Sequence, residues 1–237
     1  KFVNEPTEKW IEGNIEFVHA LRALGVLTDS LANTTDEETI AILFDTGPYS
    51  QAKAMIDSGT IITPAPVGKE IGIGYLNSDH DAALFVAVKN WQYFNDQYGI
   101  ALKPVGATTS RPEKAELMVN GQKVADVRLI PGDAGPQLMQ LASTNAIQMA
   151  YVGNPPVIAA VDKGTPVKIL LAINTEGSGV VVSNESPATD WESFVEWANA
   201  RSAAGKPLVI AAPGKGSIQD LMIRYSLKES GLSVSEG

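Results

Sequence analysis

The chain has 237 residues, with 18 Lys and Arg against 27 Asp and Glu for a formal charge of -9, 44% hydrophobic and 19% charged residues, and no cysteine. That balance excludes a disordered chain. Its apolar runs fall far short of the roughly 20 residues of a bilayer span, and an acidic chain without a Lys/Arg-rich run is no partner for nucleic acid. Without cysteine there are no disulfides, thiol nucleophiles or cysteine-type zinc sites, and two histidines argue against a multi-histidine metal centre. At roughly 100–200 residues per domain, the length allows one large domain or two small ones.

Residues 1–60 read as helical. Ile15, Val18, Leu21 and Leu24 recur at three-residue spacing, with Phe17 and Leu21 four apart, and Gly25 supplies a stop. Thr35-Asp36-Glu37-Glu38 is a capping box that opens a second helix, for which Gly47-Pro48 reads as the end. Residues 60–70, with Pro64, Pro66 and Gly68, have a linker's composition. The chain starts at Lys1 with no leader-like segment, so any targeting signal or anchor is expected to lie outside it. At the other end the sequence reads as stopping in the middle of a fold.

From Glu70 the texture changes to alternating strands and helices. Residues 71–76 read as a strand, 82–98 as a helix and 101–105 as a second strand. Asn120-Gly121, between apolar runs at 115–119 and 122–125, is a two-residue hairpin signal, and this hairpin is expected to stand beside the main sheet. The pattern continues with a strand at 127–130, a helix at 136–143, a strand at 146–152 and a helix at 155–162. Strands at 167–173 and 180–183 follow, then a helix at 191–201 opened by a Thr189-x-x-Glu192 box, a strand at 208–212 and a helix at 217–229. Such alternation predicts a largely parallel sheet covered by helices, with ligands beyond the carboxyl ends of the strands.

Four strand-to-helix turns carry related chemistry: Asn77-Ser78-Asp79-His80, Gly132-Asp133-Ala134-Gly135, Gly153-Asn154-Pro155-Pro156 and Pro213-Gly214-Lys215-Gly216-Ser217. Helix N-termini bear unsatisfied amides and about half a positive charge, so several converging on one cleft would hold an anion without a basic protein. Each turn also has a plain structural use. Ser217-x-x-Asp220 and Ser78-x-x-Asp81 fit capping boxes, Pro155 pre-sets a helix start, and His80 serves equally as a solvated or capping residue. Glu176-Gly177-Ser178-Gly179 reads as a crossover loop or as a ligand contact. The aromatic residues Trp91, Tyr93, Phe94, Trp191, Phe194 and Trp197 fall on helical faces and read as packing.

Three enzyme motifs fail. Pro213-Gly214-Lys215-Gly216-Ser217 lacks the adjacent Lys-Ser/Thr of a P-loop, Gly72-Ile73-Gly74 lacks the third glycine of a dinucleotide fingerprint, and Gly177-Ser178-Gly179 is not a nucleophile elbow. The turns read as a binding design rather than a catalytic one.

Ile71 to Ser78 with its Ala/Leu/Phe helix, Tyr151-Val152-Gly153-Asn154-Pro155-Pro156, and above all Ala211-Ala212-Pro213-Gly214-Lys215-Gly216-Ser217-Ile218-Gln219-Asp220 resemble the substrate-binding proteins of ABC importers for nitrate, sulfonates and bicarbonate. Thiamine-precursor binders share the pattern. The resemblance, over residues 70–237, implies an α/β type II periplasmic-binding-protein fold: two lobes with mixed, mostly parallel sheets and helices on both faces, closing on the ligand like a hinged clamp. It divides the chain into 1–64, similar to the family's C-terminal tail at Phe17 to Leu27 and Leu43 to Thr46, then lobe 1 at 65–173 and the start of an incomplete lobe 2 at 174–237. Tail followed by head implies a segment of a tandem fusion, with further binding-protein modules in the full-length chain.

The same resemblance implies an extracytoplasmic solute-binding protein that delivers a small oxyanion or organic anion to a membrane permease, with no cofactor, metal or catalysis. Asn77, Ser78, Asp79 and His80 would line one wall with Gly153 and Asn154. Glu176, Gly177, Ser178, Gly216, Ser217 and Gln219 would line the other, with Lys215 beside them. Two rivals stand next to it: an enzyme of thiamine-pyrimidine biosynthesis, for which His80 and Lys215 are the candidate groups, and a sensory module that reports ligand rather than importing it.

Overall fold

The computed structural model describes residues 5–106, 111–174 and 178–235, with the backbone alone of His80. The first segment is three helices: α1 (Glu8–Ala23), α2 (Asp36–Leu43) and α3 (Gly47–Ser58). Thr7 caps α1 by accepting from the Trp10 amide at 3.2 Å, and Gly25, at φ 70°, takes the left-handed turn that follows it. At α2 both halves of the Thr35/Glu38 capping box are formed. Gly47-Pro48, expected to stop a helix, instead opens α3, because proline in the first turn has no intrahelical bond to lose.

Next come β1 (Ile71–Leu76), a single 3-10 turn at Asp79–Asp81, α4 (Ala82–Lys89) and α5 (Trp91–Tyr98). The one helix expected over 82–98 is broken at Asn90, whose side-chain amide donates back to the Val86 carbonyl at 2.9 Å. Such a local side-chain bond competes with helix continuation. Then follow β2 (Ile100–Pro104), β3 (Lys114–Val119), β4 (Gln122–Gly132), α6 (Gly135–Ser143), β5 (Met149–Ala150) and α7 (Asn154–Asp162).

Asn120 and Gly121 take positive φ of 49° and 78°, as a two-residue hairpin requires. The hairpin is not beside the sheet but part of it. Runs 122–125 and 127–130 belong to one strand of 11 residues, β4, because β3 pairs with it across Asp126 and β1 pairs with it from Val127 onward. The strand order is β2-β3-β4-β1-β5. β1 lies parallel to both β4 and β5, while β3 runs antiparallel to β2 and β4. The strand expected at 146–152 is reduced to β5, although the Gln148 and Tyr151 amides still donate to Gly72 and Gly74 carbonyls at 2.9 Å.

The sheet separates two cores. On one face Ile73, Tyr75, Val127 and Leu129 pack with Leu84 and Val88 of α4. On the other, Leu138 of α6 and Ile158 of α7 join Val18 and Leu21 of α1 and Leu43 of α2. The glycines of β1 make this second face close: a Cβ on Gly74 would stand 2.9 Å from Leu138 Cδ2, and one on Gly72 would stand 2.8 Å from the Ala146 carbonyl. Helix and loop approach the backbone where no side chain intervenes.

Segment 1–64 is fastened to this unit by polar groups as well. Asp162, at the end of α7 and 1% exposed, accepts from the backbone amides of Thr28, Asp29 and Leu31 at 2.8–3.2 Å. Phe44 bridges Ile169 in parallel, and Lys168 Nζ donates to the carbonyls of Ala41 and Ile42 at the end of α2.

Residues 178–235 contribute α8 (Trp191–Ala203) and α9 (Ile218–Glu229). The capping box of α8 is Asp190 with Ser193, one residue later than Thr189/Glu192, because the Asp190 carboxylate reaches the Ser193 amide at 2.9 Å. Of the strands expected at 167–173, 180–183 and 208–212, the first gives only the isolated bridge to Phe44, and the other two form no ladder among the described residues. Val181 is 93% and Val209 98% exposed, so among the described residues these apolar runs lie unpaired and open to solvent. The described residues therefore make a mixed α/β fold with one open, mostly parallel sheet flanked by helices. No described helix is long and apolar enough to cross a membrane.

Candidate functional site

A cleft of about 1780 Å³ lies beyond the carboxyl ends of β1, β4 and β5, where α6, α7 and α9 begin. It is lined by Asn77, Ser78 and Asp79 after β1, Gly132, Asp133 and Gly135 before α6, Gly153 and Asn154 at α7, and Ser178, Ser217 and Gln219. Lys215 and Gly216 flank the start of α9 without being among its lining residues. Glu176, Gly177 and the His80 side chain lie outside the described residues.

The turn at α9 is the most elaborated. Ser217 Oγ accepts from the Asp220 amide at 3.2 Å, while the Asp220 carboxylate accepts from the Gly216 amide at 2.8 Å and from Arg224 Nε at 2.6 Å. Gly216 sits at φ 80°, open to glycine at no cost. Ile218 and Gln219 occupy the first two helical positions, where amides have no intrahelical acceptor. Gln219 Nε2 also donates to Ser178 Oγ at 3.0 Å, joining two of the candidate residues across the chain.

The other turns are less generous with donors. At α7, Pro155 and Pro156 remove two amides, so the turn offers the Asn154 backbone and side chain rather than a row of N–H groups. Before α6, the Asp133 amide is taken by Gln137 Oε1 at 2.6 Å. After β1, the buried Asp81 carboxylate accepts from the Leu76 amide and fixes the end of the strand. Burial first, and then the charge of Asp81, push the Tyr151 hydroxyl up from the ordinary tyrosine range, so this lining group stays neutral.

One wall was missed in the sequence reading. Trp10, Gly13, Asn14 and Phe17 of α1 face the cleft, and the Asn154 amide donates to Asn14 Oδ1. The available signal was a polar residue inside an apolar stripe: Trp10, Asn14, Phe17 and Leu21 fall at helical spacing, and Asn14 is buried there. Leu171 and Met222 add exposed apolar surface to the lining. Its charged members are Glu5, Asp79, Asp81 and Asp133 against Lys9 and Lys168, and Lys168 is engaged by α2. Among the described residues no three His, Cys, Asp or Glu side chains gather as a metal site.

Fold and cleft together define an α/β protein with a large open cleft at the carboxyl edge of its sheet. Residues 64–236 match the NMT1-like family, and the chain belongs to that family, a relative of the nitrate, sulfonate and bicarbonate binding proteins. It is also similar to the uncharacterized protein MJ1180 of Methanocaldococcus jannaschii, with 38% identity over 105 residues, 44% of this chain and 70% of that protein. No solved structure matches it.

Proposed function

We propose that the protein is the extracytoplasmic solute-binding component of an ABC importer, capturing a small oxyanion or organic anion of the nitrate, sulfonate or bicarbonate class. The observation that carries this is the convergence of three helix starts on one cleft. Asn77, Ser78, Asp79, Gly153, Asn154, Ser178, Ser217 and Gln219, from four separate turns, line it together. Ile218 and Gln219 bring the donors for an anionic group, and Leu171 and Met222 bring apolar surface for the rest of an organic solute.

In this reading residues 65–173 form lobe 1, 174–237 begin lobe 2, 1–64 supply the closing tail, and the full-length chain carries further binding-protein modules. Solute bridging the lobes favours the closed state, which the membrane permease recognises. The protein uses no cofactor and catalyses no reaction. A thiamine-pyrimidine enzyme would need Lys or His on a cofactor; of the two candidates for that role Lys215 is not among the described residues that line the cleft, and of the lysines that do line it Lys168 is held by α2 carbonyls. Calorimetric titration with bicarbonate, nitrate and propanesulfonate tests the proposal. Saturable binding of at least one is expected, weakened tenfold or more by Ser217→Ala combined with Gln219→Ala. Binding of none, or binding indifferent to the double substitution, would overturn it.

A further inference from the structure

We infer that Asn14 sets the polarity of the Asn154 amide, so that the cleft presents a hydrogen-bond acceptor at the start of α7 and selects a solute bearing an N–H or O–H donor. This rests on the cleft being the solute site and narrows the class of solute it takes.

The polarity is fixed from the backbone outward. The Trp10 carbonyl can only accept, and the side-chain amide of Asn14 stands 2.7 Å from it, so the atom facing Trp10 is Asn14 Nδ2. Asn14 Oδ1 is thereby turned the other way, where it accepts from Asn154 Nδ2. Rotating the Asn14 amide by half a turn would bring oxygen against the Trp10 oxygen and nitrogen against the Asn154 nitrogen. Asn14 is 2% exposed, so bulk water does not relieve such a mismatch.

What is left of Asn154 is its Oδ1. Among the described residues no buried side-chain nitrogen or oxygen lacks a partner, and none of them donates to this oxygen, while Asn154 itself lines the cleft. Oδ1 is therefore open to the cleft, and it can only accept. The Asp79 and Asp133 carboxylates on the same lining are acceptors too. A solute with acceptors alone, such as nitrate, would meet oxygen with oxygen here. Bicarbonate, of the same shape and charge but with an O–H, or an acid that carries an amine, satisfies it.

Two matched pairs of probes test this: bicarbonate against nitrate, and 2-aminoethanesulfonate against propanesulfonate, titrated into the wild type and Asn14→Leu. In whichever pair binds, the donor-bearing member is expected to bind the wild type about tenfold tighter, the scale of leaving one acceptor unpaired. The preference should shrink to within about threefold in Asn14→Leu, where the Asn154 amide is free to turn. Equal or tighter binding of the acceptor-only member by the wild type overturns the inference and leaves the proposed function standing.

A second measurement needs no solute. The Asn154 side-chain NH2 should exchange slowly with solvent by NMR in the wild type and rapidly in Asn14→Leu. Fast exchange in the wild type overturns the inference whether or not a probe binds; if no probe binds, the proposed function falls and the solute preference falls with it, while slow exchange still upholds the Asn14–Asn154 bond that orients the amide. If Asn14→Leu does not fold, Asn14→Ala replaces it. It likewise removes the acceptor that holds the Asn154 amide, so the preference should shrink and the exchange become rapid, and persistence of both overturns the inference.

Discussion

The sheet-bearing half and residues 178–235 contain the same kind of apolar runs and use them in opposite ways. Val127 and Leu129 of β4 lie between β3 and β1, each buried against the α4 face. Val180-Val181-Val182 and Val209-Ile210 are equally β-branched, yet they join no ladder among the described residues and stay largely exposed. A strand is a relation between segments rather than a property of one of them. The pleat and side-chain alternation can be written into a sequence, but the ladder bonds need a neighbour in register. Where the neighbour exists, burial follows and gives the site a rigid edge; where it does not, stability rests on helices and their caps.

The largest effect that separates the two regions is expected at Leu138. Its side chain is fully buried in α6 and closes over the glycines of β1 and β4, with a Cβ on Gly132 meeting it at 2.6 Å. Leu138→Ala leaves a cavity under the sheet and should lower unfolding free energy by about 3 kcal/mol in urea titrations. A loss below about 1 kcal/mol would mean that the glycine-lined face collapses onto the smaller side chain. Ser217→Ala, at the junction of the regions, should cost about 1 kcal/mol, because the Asp220 amide loses its cap while Asp220 keeps its bonds to Gly216 and Arg224. If this loss appears only as faster amide exchange in α9, with the global unfolding midpoint unchanged, α9 opens independently of the sheet.

How much was legible follows the same division. Local chemistry was readable: the Thr35/Glu38 box, the Asn120-Gly121 turn and β1 stand where residue types place them, since each is decided within a few residues. Gly47-Pro48 was ambiguous because a proline that cannot continue a helix is well suited to begin one. The merging of 122–125 with 127–130 depends on β1 as a parallel neighbour, which no local signal encodes. For the site, the strand-to-helix turns could be listed from sequence because sheet topology brings them together. The wall from α1 could not, since Asn14 and Asn154 are 140 positions apart. The loss of donors at Pro155-Pro156 was readable in principle, as proline lacks an amide wherever it stands.

The smallest effect is the sharpest test of the contrast. Val209→Thr and Val181→Thr keep β-branching and change only the exposed methyl, so each should alter stability by less than about 0.5 kcal/mol, the scale of a surface substitution. Val127→Thr is the matched change on the other side. It places a hydroxyl among buried apolar groups between two strands and should cost about 1–3 kcal/mol. Hydrogen exchange gives the same contrast without substitution: amides of β1 and β4 should be strongly protected, and those of 180–183 and 208–212 close to unprotected. Protected amides at 208–212, together with a real cost for Val209→Thr, would show that this run is paired in solution. The exposed valines would then mark a sheet edge that has a partner, and the two regions would differ only in where that partner comes from.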